Sequence, residues 1–353
     1  MIIVTGGSGF IGSNFVIDWG RGTSEAVVNI DKLTYAGNRA AVKNFGKVSK
    51  CMFIHADICD RDEMDRIFDR YRPRAIVHFA AESHVDRSIT EPDEFVRTNV
   101  VGTFTLLQAA HRYWVGMPDG EKTAFRFLHV STDEVFGSLG PADAPFSETS
   151  PYAPNSPYSA TKAGSDHLVR AWHHTFGLPT LITHCSNNYG PFQFPEKLIP
   201  LLITRALEGN ALPIYGDGMN VRDWLYVGDH CSAIRQVLAG GAPGETYNIG
   251  GRNELTNLEV VGALCGILDR FRPKSSGSYR NQIEMVPDRP GHDRRYAIDA
   301  SKVRAELGWE PAETFETGLE KTVRWYLDNQ AWVDDVVSSV ESKREAGSYE
   351  WQA

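Results

Sequence analysis

The feature that most constrains the fold is a glycine-rich turn at the start of the chain. A short apolar run, Ile2–Thr5, leads into GGSGFIG (6–12), and an amphipathic stretch follows. A strand, a glycine turn and a helix in this order are typical of a dinucleotide-binding βαβ unit. Gly6 permits the tight turn, Gly9 lets the backbone approach a pyrophosphate, and Gly12 lets the helix pack closely on the strand. An ordinary strand-to-helix turn is the alternative interpretation.

An acidic residue further along the chain supports the dinucleotide interpretation. A second predicted strand, residues 26–30, ends in Asp31, nineteen residues after Gly12. A carboxylate at this place can accept hydrogen bonds from the adenosine ribose hydroxyls, and it would repel a 2′-phosphate. The sequence therefore predicts NAD, and not NADP, as the cofactor.

Strands and helices alternate over the first half of the chain. Further strands are predicted at 52–56, 75–79, 125–130 and 181–185, and helices at 61–71, 91–114 and 158–176. Such alternation predicts an α/β fold with a parallel, doubly wound sheet of the Rossmann type.

Polar residues follow the strand at 125–130. Thr132, Asp133 and Glu134 stand where this strand should end, and ligands bind at the carboxyl ends of strands in open α/β sheets. Two adjacent acids there could serve as a general acid and a general base on neighbouring substrate atoms. Burial and the charge of Glu134 would both raise the pKa of Asp133. A helix cap or turn is the alternative, because Thr, Asp and Glu are common in caps.

A tyrosine and a lysine share one face of a predicted helix. A proline-rich segment, residues 141–157, is predicted to be a loop, and it leads into Tyr158 and Lys162, four residues apart. The neighbouring ammonium would lower the pKa of Tyr158, so that the phenol could take a hydroxyl proton near neutral pH. Two surface residues on a helix are the alternative.

Composition excludes several functions. The net charge of −9 and the pI near 5.7 argue against binding to nucleic acid or to anionic membranes. No apolar run approaches membrane-spanning length, and the immediate entry into a strand leaves no room for a signal peptide. The five cysteines are scattered and odd in number, which is typical of reduced cysteines in a cytoplasmic protein. Neither cysteines nor histidines cluster at ligand spacing, so no metal site is expected.

The alternation of strands and helices loosens after residue 186. We predict an NAD-binding domain at 1–186 with a returning segment at about 221–250, a smaller C-terminal substrate-binding domain at 187–330, and a C-terminal tail at 331–353 that is charged and frayed from Ser338. Lys197, Arg222 and Arg289 are candidate cations for a phosphate-bearing ligand, and solvated surface charges are the alternative.

Taken together, these residues resemble the extended short-chain dehydrogenase/reductase family, from Ile2 to about Leu327. The motifs that carry the resemblance are GGSGFIG (6–12), DKLTYAGN (31–38), HFAAESHVDRSI (78–89), STDEVFG (131–137), YSATK (158–162), CSNNYGPFQFPEKLIP (185–200), VRDWLYVGDH (221–230), YNIGG (247–251) and DRPGHDRRY (288–296). Within the family, the acidic pair Asp133–Glu134 is similar to that of nucleotide-sugar 4,6-dehydratases. The 4-epimerases have no such pair, and GDP-mannose dehydratases have a serine in place of Asp133.

The resemblance implies an activity and a set of roles. The expected reaction converts dTDP-glucose to dTDP-4-keto-6-deoxyglucose, with Tyr158 as the base at C4, Glu134 as the base at C5 and Asp133 as the acid at the C6 hydroxyl. A 4-epimerase, a dehydratase of another nucleotide sugar, and a non-catalytic NAD-sensing regulator stay open as alternatives. The helices predicted at 91–114 and 158–176 are expected to pair with their copies in a four-helix bundle, as a homodimer.

The resemblance also assigns binding residues. Those expected to hold NAD are Gly6, Gly9, Phe10, Ile11, Gly12, Asp31, Lys32, Thr34, Asp57, Ile58, Ala80, Ala81, Ser83, Thr98, Tyr158, Lys162 and Asn188. Those expected to hold the nucleotide sugar are Ser83, Thr132, Asn187, Glu196, Lys197, Leu198, Pro213, Tyr215, Arg222, Asn257, Arg289 and His292.

Overall fold

The structure is a computed structural model that describes residues 1–34, 37, 50–288 and 293–345, with side chains up to residue 338. The strands are β1 (Ile2–Thr5), β2 (Val27–Asp31), β3 (Cys51–His55), β4 (Ala75–His78), β5 (Arg126–Thr132), β6 (Thr180–Cys185), β7 (Asn187–Tyr189), β8 (Leu212–Tyr215), β9 (Val221–Tyr226), β10 (Thr246–Ile249), β11 (Glu254–Thr256) and β12 (Ile283–Val286).

The helices cover both faces of the main sheet and the C-terminal region. They are α1 (Phe10–Gly22), α2 (Arg61–Tyr71), α3 (Val85–Thr90), α4 (Pro92–Phe95), α5 (Thr103–Val115), α6 (Asp119–Lys122), α7 (Pro157–Phe176), α8 (Leu198–Glu208), α9 (Val227–Gly240), α10 (Asn257–Phe271), α11 (Ser301–Leu307), α12 (Phe315–Asp328) and α13 (Gln330–Glu345). A π-helical segment, Val96–Gly102, joins α4 to α5. The helix predicted at 91–114 is therefore a composite of three segments.

The main sheet has seven described strands in the order β10-β6-β5-β4-β1-β2-β3. All of its neighbouring strands run parallel, which confirms the predicted doubly wound fold. The chain proceeds from β1 to β2 and β3 on one side and returns to β4 on the other, so the strand order reverses beside β1. Ligands of such sheets bind at the carboxyl ends of the strands around this reversal.

Two hydrophobic cores hold the sheet between helices. Val4, Phe15, Leu128 and Val237 belong to the core on the face covered by α1 and α9. The opposite core lies under α2, α5 and α7. Strands β1 and β4 are buried along their whole length, which explains why Ile2–Val4 and Ala75–Val77 form continuous apolar runs and not an alternating pattern.

The C-terminal part of the chain builds a smaller region around its own core. Two small sheets, β11-β9-β7 and β12-β8, combine with α8, α10 and α12, and Tyr189, Leu264 and Phe315 are buried among them. Strand β10 instead joins the main sheet beside β6. The predicted domain limits stay a prediction.

The chain beyond residue 330 differs from the predicted tail. Residues 330–345 form helix α13, because its first turns carry Trp332, Val333 and Val336, which are buried against the C-terminal core. Among the described residues, no helix is both long enough and apolar enough to cross a membrane.

Candidate active site

The glycine turn has a backbone that larger residues could not adopt. Gly6 has φ +71°, and a Cβ atom there would lie 2.5 Å from the backbone nitrogen of Ala80. At Gly12 a Cβ atom would lie 2.3 Å from the carbonyl oxygen of Gly6. Gly9 begins α1 without a side-chain cap, so the first amides of the helix point toward the turn. The turn therefore offers N–H donors and space to a pyrophosphate.

Asp31 lies beside this turn at the end of β2. Its carboxylate accepts hydrogen bonds from the backbone N–H of Ser8 (2.9 Å) and of Leu33 (2.8 Å). Burial raises the pKa of Asp31, and these two hydrogen bonds oppose the rise. The carboxylate is thus held at the place where a ribose would follow the pyrophosphate. The glycine turn and Asp31 together fit a dinucleotide.

A cleft of about 310 Å³ extends from the glycine turn to the ends of β5 and β6, which is within the usual size of ligand sites. It brings together nearly all of the predicted NAD residues, namely Gly6, Gly9, Phe10, Ile11, Gly12, Asp31, Lys32, Thr34, Ile58, Ala80, Ala81, Ser83, Thr98, Tyr158, Lys162 and Asn188. Asp57 does not line it: this carboxylate accepts from the backbone N–H of Cys59 and lies 3.8 Å from Lys32 Nζ.

Thr132, Asp133 and Glu134 stand at the carboxyl end of β5 and line the same cleft. Asp133 begins a short 3₁₀ turn, Asp133–Phe136, and Thr132 Oγ1 caps this turn by accepting from the backbone N–H of Glu134. The capping interpretation is therefore confirmed, and the catalytic role of these residues stays a prediction. Thr132 Oγ1 also lies 3.4 Å from Asp133 Oδ1.

Asp133 is buried and surrounded by negative charge. Burial first, and then the charges of Glu134 and Asp223, raise its pKa well above the usual value, against the opposing charge of Arg222. This confirms the predicted direction. A carboxyl group with a raised pKa keeps its proton near neutral pH and can act as an acid.

Tyr158 and Lys162 enter the cleft from the first turns of α7. A capping box between Ser156 and Ser159, with Pro157 at the first helical position, begins this helix. The predicted lowering of the Tyr158 pKa is wrong. Among the described residues, burial and the negative charge of Glu134 raise this pKa, although a hydrogen bond with Thr132 opposes the rise. Burial is the largest cause of the rise, and Lys162 Nζ donates to the carbonyl oxygen of Val130, 2.9 Å away.

The predicted substrate residues separate into two groups. Ser83, Thr132, Asn187, Glu196 and Lys197 line the cleft. Lys197 Nζ donates to the carbonyl oxygen of Ser83 at 3.4 Å, and a carboxylate oxygen of Glu196 lies 3.6 Å from His84 Nε2. These contacts join the segment before α8 to the loop after β4.

The second group lies outside the cleft lining. Arg222 is buried on β9, with its guanidinium 4.4 Å from the ring centroid of Tyr296 and Nη2 donating to the carbonyl oxygen of Asp293. Leu198 begins α8, Pro213 and Tyr215 belong to β8, and Asn257 begins α10. Arg289 and His292 lie outside the described residues.

Sequence reasoning missed two buried groups near the site. Asp223 on β9 accepts from the backbone N–H groups of Gly251 and Asn253. Asp166 on α7 contacts His129 on β5 and His184 on β6. The available signal for the second group was a histidine inside each of the buried strands β5 and β6, because a buried polar side chain must find a partner.

The comparisons with known proteins agree with this geometry. Residues 3–322 match the family model described as GDP-mannose 4,6 dehydratase. A dTDP-glucose 4,6-dehydratase of Neisseria meningitidis is 58% identical over 340 residues, which cover 96% of each chain.

Solved structures extend the likeness. The crystal structure of DesIV, a dTDP-glucose 4,6-dehydratase from Streptomyces venezuelae with NAD and TYD bound, superimposes with a TM-score of 0.86 at 47% identity and covers 95% of this chain and 99% of that one. The crystal structure of a UDP-glucose 4-epimerase of Thermotoga maritima superimposes with a TM-score of 0.82 at 29% identity, and the match covers 93% of this chain and 99% of that one. The chain therefore belongs to the extended short-chain dehydrogenase/reductase family, among its NAD-dependent nucleotide-sugar 4,6-dehydratases.

Proposed function

We propose that this protein is a hydro-lyase that converts dTDP-glucose to dTDP-4-keto-6-deoxyglucose. The observation that carries the proposal is the meeting of two pairs in one cleft. Tyr158 and Lys162 are suited to oxidation beside a dinucleotide, and Asp133 and Glu134 are suited to elimination. Relatives that are 58% identical to this chain bear the name of this activity.

The proposed reaction begins at C4 of the sugar. Tyr158 takes the proton of the C4 hydroxyl, and Thr132, which is hydrogen-bonded to the phenol, orients the two oxygens. Bound NAD supplies a hydride acceptor for C4 and, later, a hydride donor for C6. Because the phenol has a raised pKa among the described residues, it needs added positive charge nearby to act as a base. A bound nicotinamide cation would supply such charge, in addition to the charge of the Lys162 ammonium already in the site.

Elimination follows from the 4-ketone, which makes the C5 proton acidic. Glu134 removes this proton while Asp133 donates its own proton to the C6 hydroxyl, which leaves as water. Glu134 then returns the proton to C5, beside C6, to which bound NAD would supply the hydride. The raised pKa of Asp133 suits an acid that must be protonated when the leaving group departs.

The nucleotide diphosphate is proposed to lie between the cleft and the C-terminal region. Lys197 and Arg222 provide cations on the two sides of this path, and a guanidinium can bind a phosphate through two hydrogen bonds. Asn187 and Glu196 line the cleft beside them.

A 4-epimerase is the second candidate function, because the Thermotoga maritima epimerase has nearly the same fold. Both enzymes would begin with oxidation at C4, but only the dehydratase loses water. Incubation with dTDP-glucose and with UDP-glucose, followed by mass spectrometry, separates them. We expect a product lighter by one water from dTDP-glucose, and a product of unchanged mass would overturn the proposal. An NAD-sensing regulator would give no product.

We further propose a homodimer that pairs α5 and α7 with their copies. These helices lie side by side, with the rings of Phe104 and Trp172 5.6 Å apart and those of His111 and Phe176 5.0 Å apart. Phe104 and Phe176 are nevertheless exposed, and exposed large apolar groups indicate an interface. Light scattering that finds a monomer at micromolar concentration would refute this. The cytoplasmic location stays a prediction.

A further inference from the structure

A buried polar cluster lies behind Lys162, on the side away from the cleft. Its centre is Asp166, one turn further along α7, and its other members are His129, His184 and Tyr152. Asp166 and both histidines are about 1% exposed. An ionisable group is rarely buried this completely without a partner or a function.

Asp166 is held by several hydrogen bonds. Oδ2 lies 3.0 Å from Nε2 of His184, whereas Oδ1 lies 3.2 Å from Nε2 of His129 without a hydrogen bond between them. The hydroxyls of Ser131 (2.9 Å) and Tyr152 (3.1 Å) also donate to Oδ2. Burial opposes ionisation, but the contacts with the two histidines outweigh it and lower the pKa of Asp166. This residue is therefore a carboxylate at every pH at which the protein would work.

The cluster reaches Lys162 through one imidazole ring. Nζ of Lys162 lies 3.4 Å from Nε2 of His129, the same nitrogen that faces Asp166. The second contact of Nζ is the carbonyl oxygen of Val130 at 2.9 Å. Lys162 is 3% exposed, so water does little to stabilise its charge.

Three further titratable groups around Lys162 are neutral at pH 7. They are His78 from β4, His129 from β5 and Cys185 from β6. Burial lowers the pKa of His78 far below its usual value and that of His129 to about 4, and it raises the pKa of Cys185. Arg170 faces Tyr152 at the far end of the cluster. Asp166 is thus the ionised group, among the described residues, whose negative charge favours the ammonium form of Lys162.

We propose that Asp166 is a positioning residue that acts as the counter-charge of Lys162 and keeps this buried ammonium protonated beside the site. His129 and His184 hold the carboxylate in place, and His129 fills the space between the two charges. A fully buried lysine without a counter-charge has a pKa of roughly 5 to 6, whereas the pKa of Lys162 falls only to about 8. The difference decides whether Lys162 is charged at neutral pH. The importance of this charge for turnover rests on the proposed function, in which Lys162 supports Tyr158.

A direct test measures the ionisation of Lys162 in the NAD-loaded enzyme. Lysines labelled with ¹³C at Cε are titrated by NMR, and the resonance of Lys162 is the one that Lys162→Met removes. We expect the pKa of Lys162 to fall by about 1 to 3 units in Asp166→Asn, because an opposite charge nearby is removed. An unchanged pKa would overturn the proposal.

Tyr152→Phe is the matched control. It removes a hydrogen bond to the same carboxylate but no charge, so we expect some loss of stability without a shift in the pKa of Lys162. An equal shift in both variants would show that the cluster acts by packing alone, which overturns the proposal. If Asp166→Asn does not fold, the wild-type titration decides: Lys162 must be largely charged at neutral pH, and a neutral Lys162 contradicts the inference.

Activity gives an independent readout. The alkaline limb of the pH profile for the rate of C4 oxidation should move to lower pH in Asp166→Asn and stay in place in Tyr152→Phe. An unmoved limb in Asp166→Asn, together with a lowered pKa of Lys162, would overturn the link between this charge and catalysis. If the wild-type enzyme has no dehydratase activity, the proposed function fails, and the NMR titration still tests the counter-charge by itself.

Discussion

Replacing Asp133 with Asn tests the proposed elimination step. The change preserves shape in a side chain that is 2% exposed. It costs few contacts, because Oδ1 has one long hydrogen bond with Thr132 Oγ1 at 3.4 Å and Oδ2 has no hydrogen-bond partner among the described residues. What Asn cannot do is donate a proton as an acid. A loss of activity would therefore report on the proton and not on the fold.

The expected size follows from the role. General acid catalysis contributes about 10²- to 10⁴-fold in rate, or about 2.7 to 5.5 kcal/mol of barrier. Stability should change in the other direction. A group whose pKa is raised by folding contributes stability that is present below its unfolded pKa and is lost as the pH rises. Since the pKa of Asp133 is raised, the wild-type protein has lost this stability at neutral pH, whereas Asp133→Asn has no titrating group there and loses none. We expect an equal or higher Tm for the variant.

Single-turnover absorbance near the band of reduced nicotinamide is the assay. Asp133 has no part in removing the C4 hydroxyl proton, so dTDP-glucose should still reduce the bound cofactor in the variant, and the signal should persist because elimination is slow. Asp143→Asn, an exposed carboxylate that accepts from the backbone N–H of Gly140, is the control and should turn over normally. If Asp133→Asn loses the absorbance signal together with the product, Asp133 serves oxidation or substrate placement and the assignment is refuted.

Three further predictions concern the cofactor, the diphosphate and the hydride. Gly12→Ala should lower the NAD content of the purified protein, because the new Cβ atom would lie 2.3 Å from the carbonyl oxygen of Gly6. The cofactor released on denaturation measures this content. The control is Gly120→Ala, whose Cβ atom would have no other atom within 4 Å and which should keep its NAD. Arg222→Ala should raise KM by about 10- to 150-fold through loss of a charged hydrogen bond of about 1.5–3 kcal/mol, with kcat nearly unchanged; a large fall in kcat alone would contradict this. Substrate deuterated at C4 should give a product with deuterium in its C6 methyl group, and label lost to solvent would refute an internal hydride transfer.

Much of the main sheet could be predicted from the sequence because its signals are local. Runs such as Ile2–Val4 and Ala75–Val77 are continuously apolar since both faces of these strands are buried. The glycine turn was recognisable because the backbone leaves no space for a side chain there. A Cβ atom at Gly12 would lie 2.3 Å from the carbonyl oxygen of Gly6. Local sequence carries this information in full.

The ionisation of Tyr158 shows where local reasoning fails. The spacing of Tyr158 and Lys162 correctly places both on one helical face, but it does not say where the ammonium points. In the structure Nζ donates to Val130 on β5, a contact between residues far apart in the chain. The burial of the phenol and the charge of Glu134 then decide the direction of the pKa shift.

The same limit applies to the acid at the centre of the proposed mechanism. The adjacency of Asp133 and Glu134 is visible in the sequence, and it predicts a raised pKa for Asp133. Asp223 adds to this rise, yet it lies ninety residues further along the chain and belongs to β9, which pairs with β7 and β11 in a separate small sheet. Hydrogen bonds from Gly251 and Asn253 hold its carboxylate there. The proton on Asp133 therefore depends on how the C-terminal region packs against the main sheet, so a change that loosens β9 should weaken elimination before it weakens NAD binding.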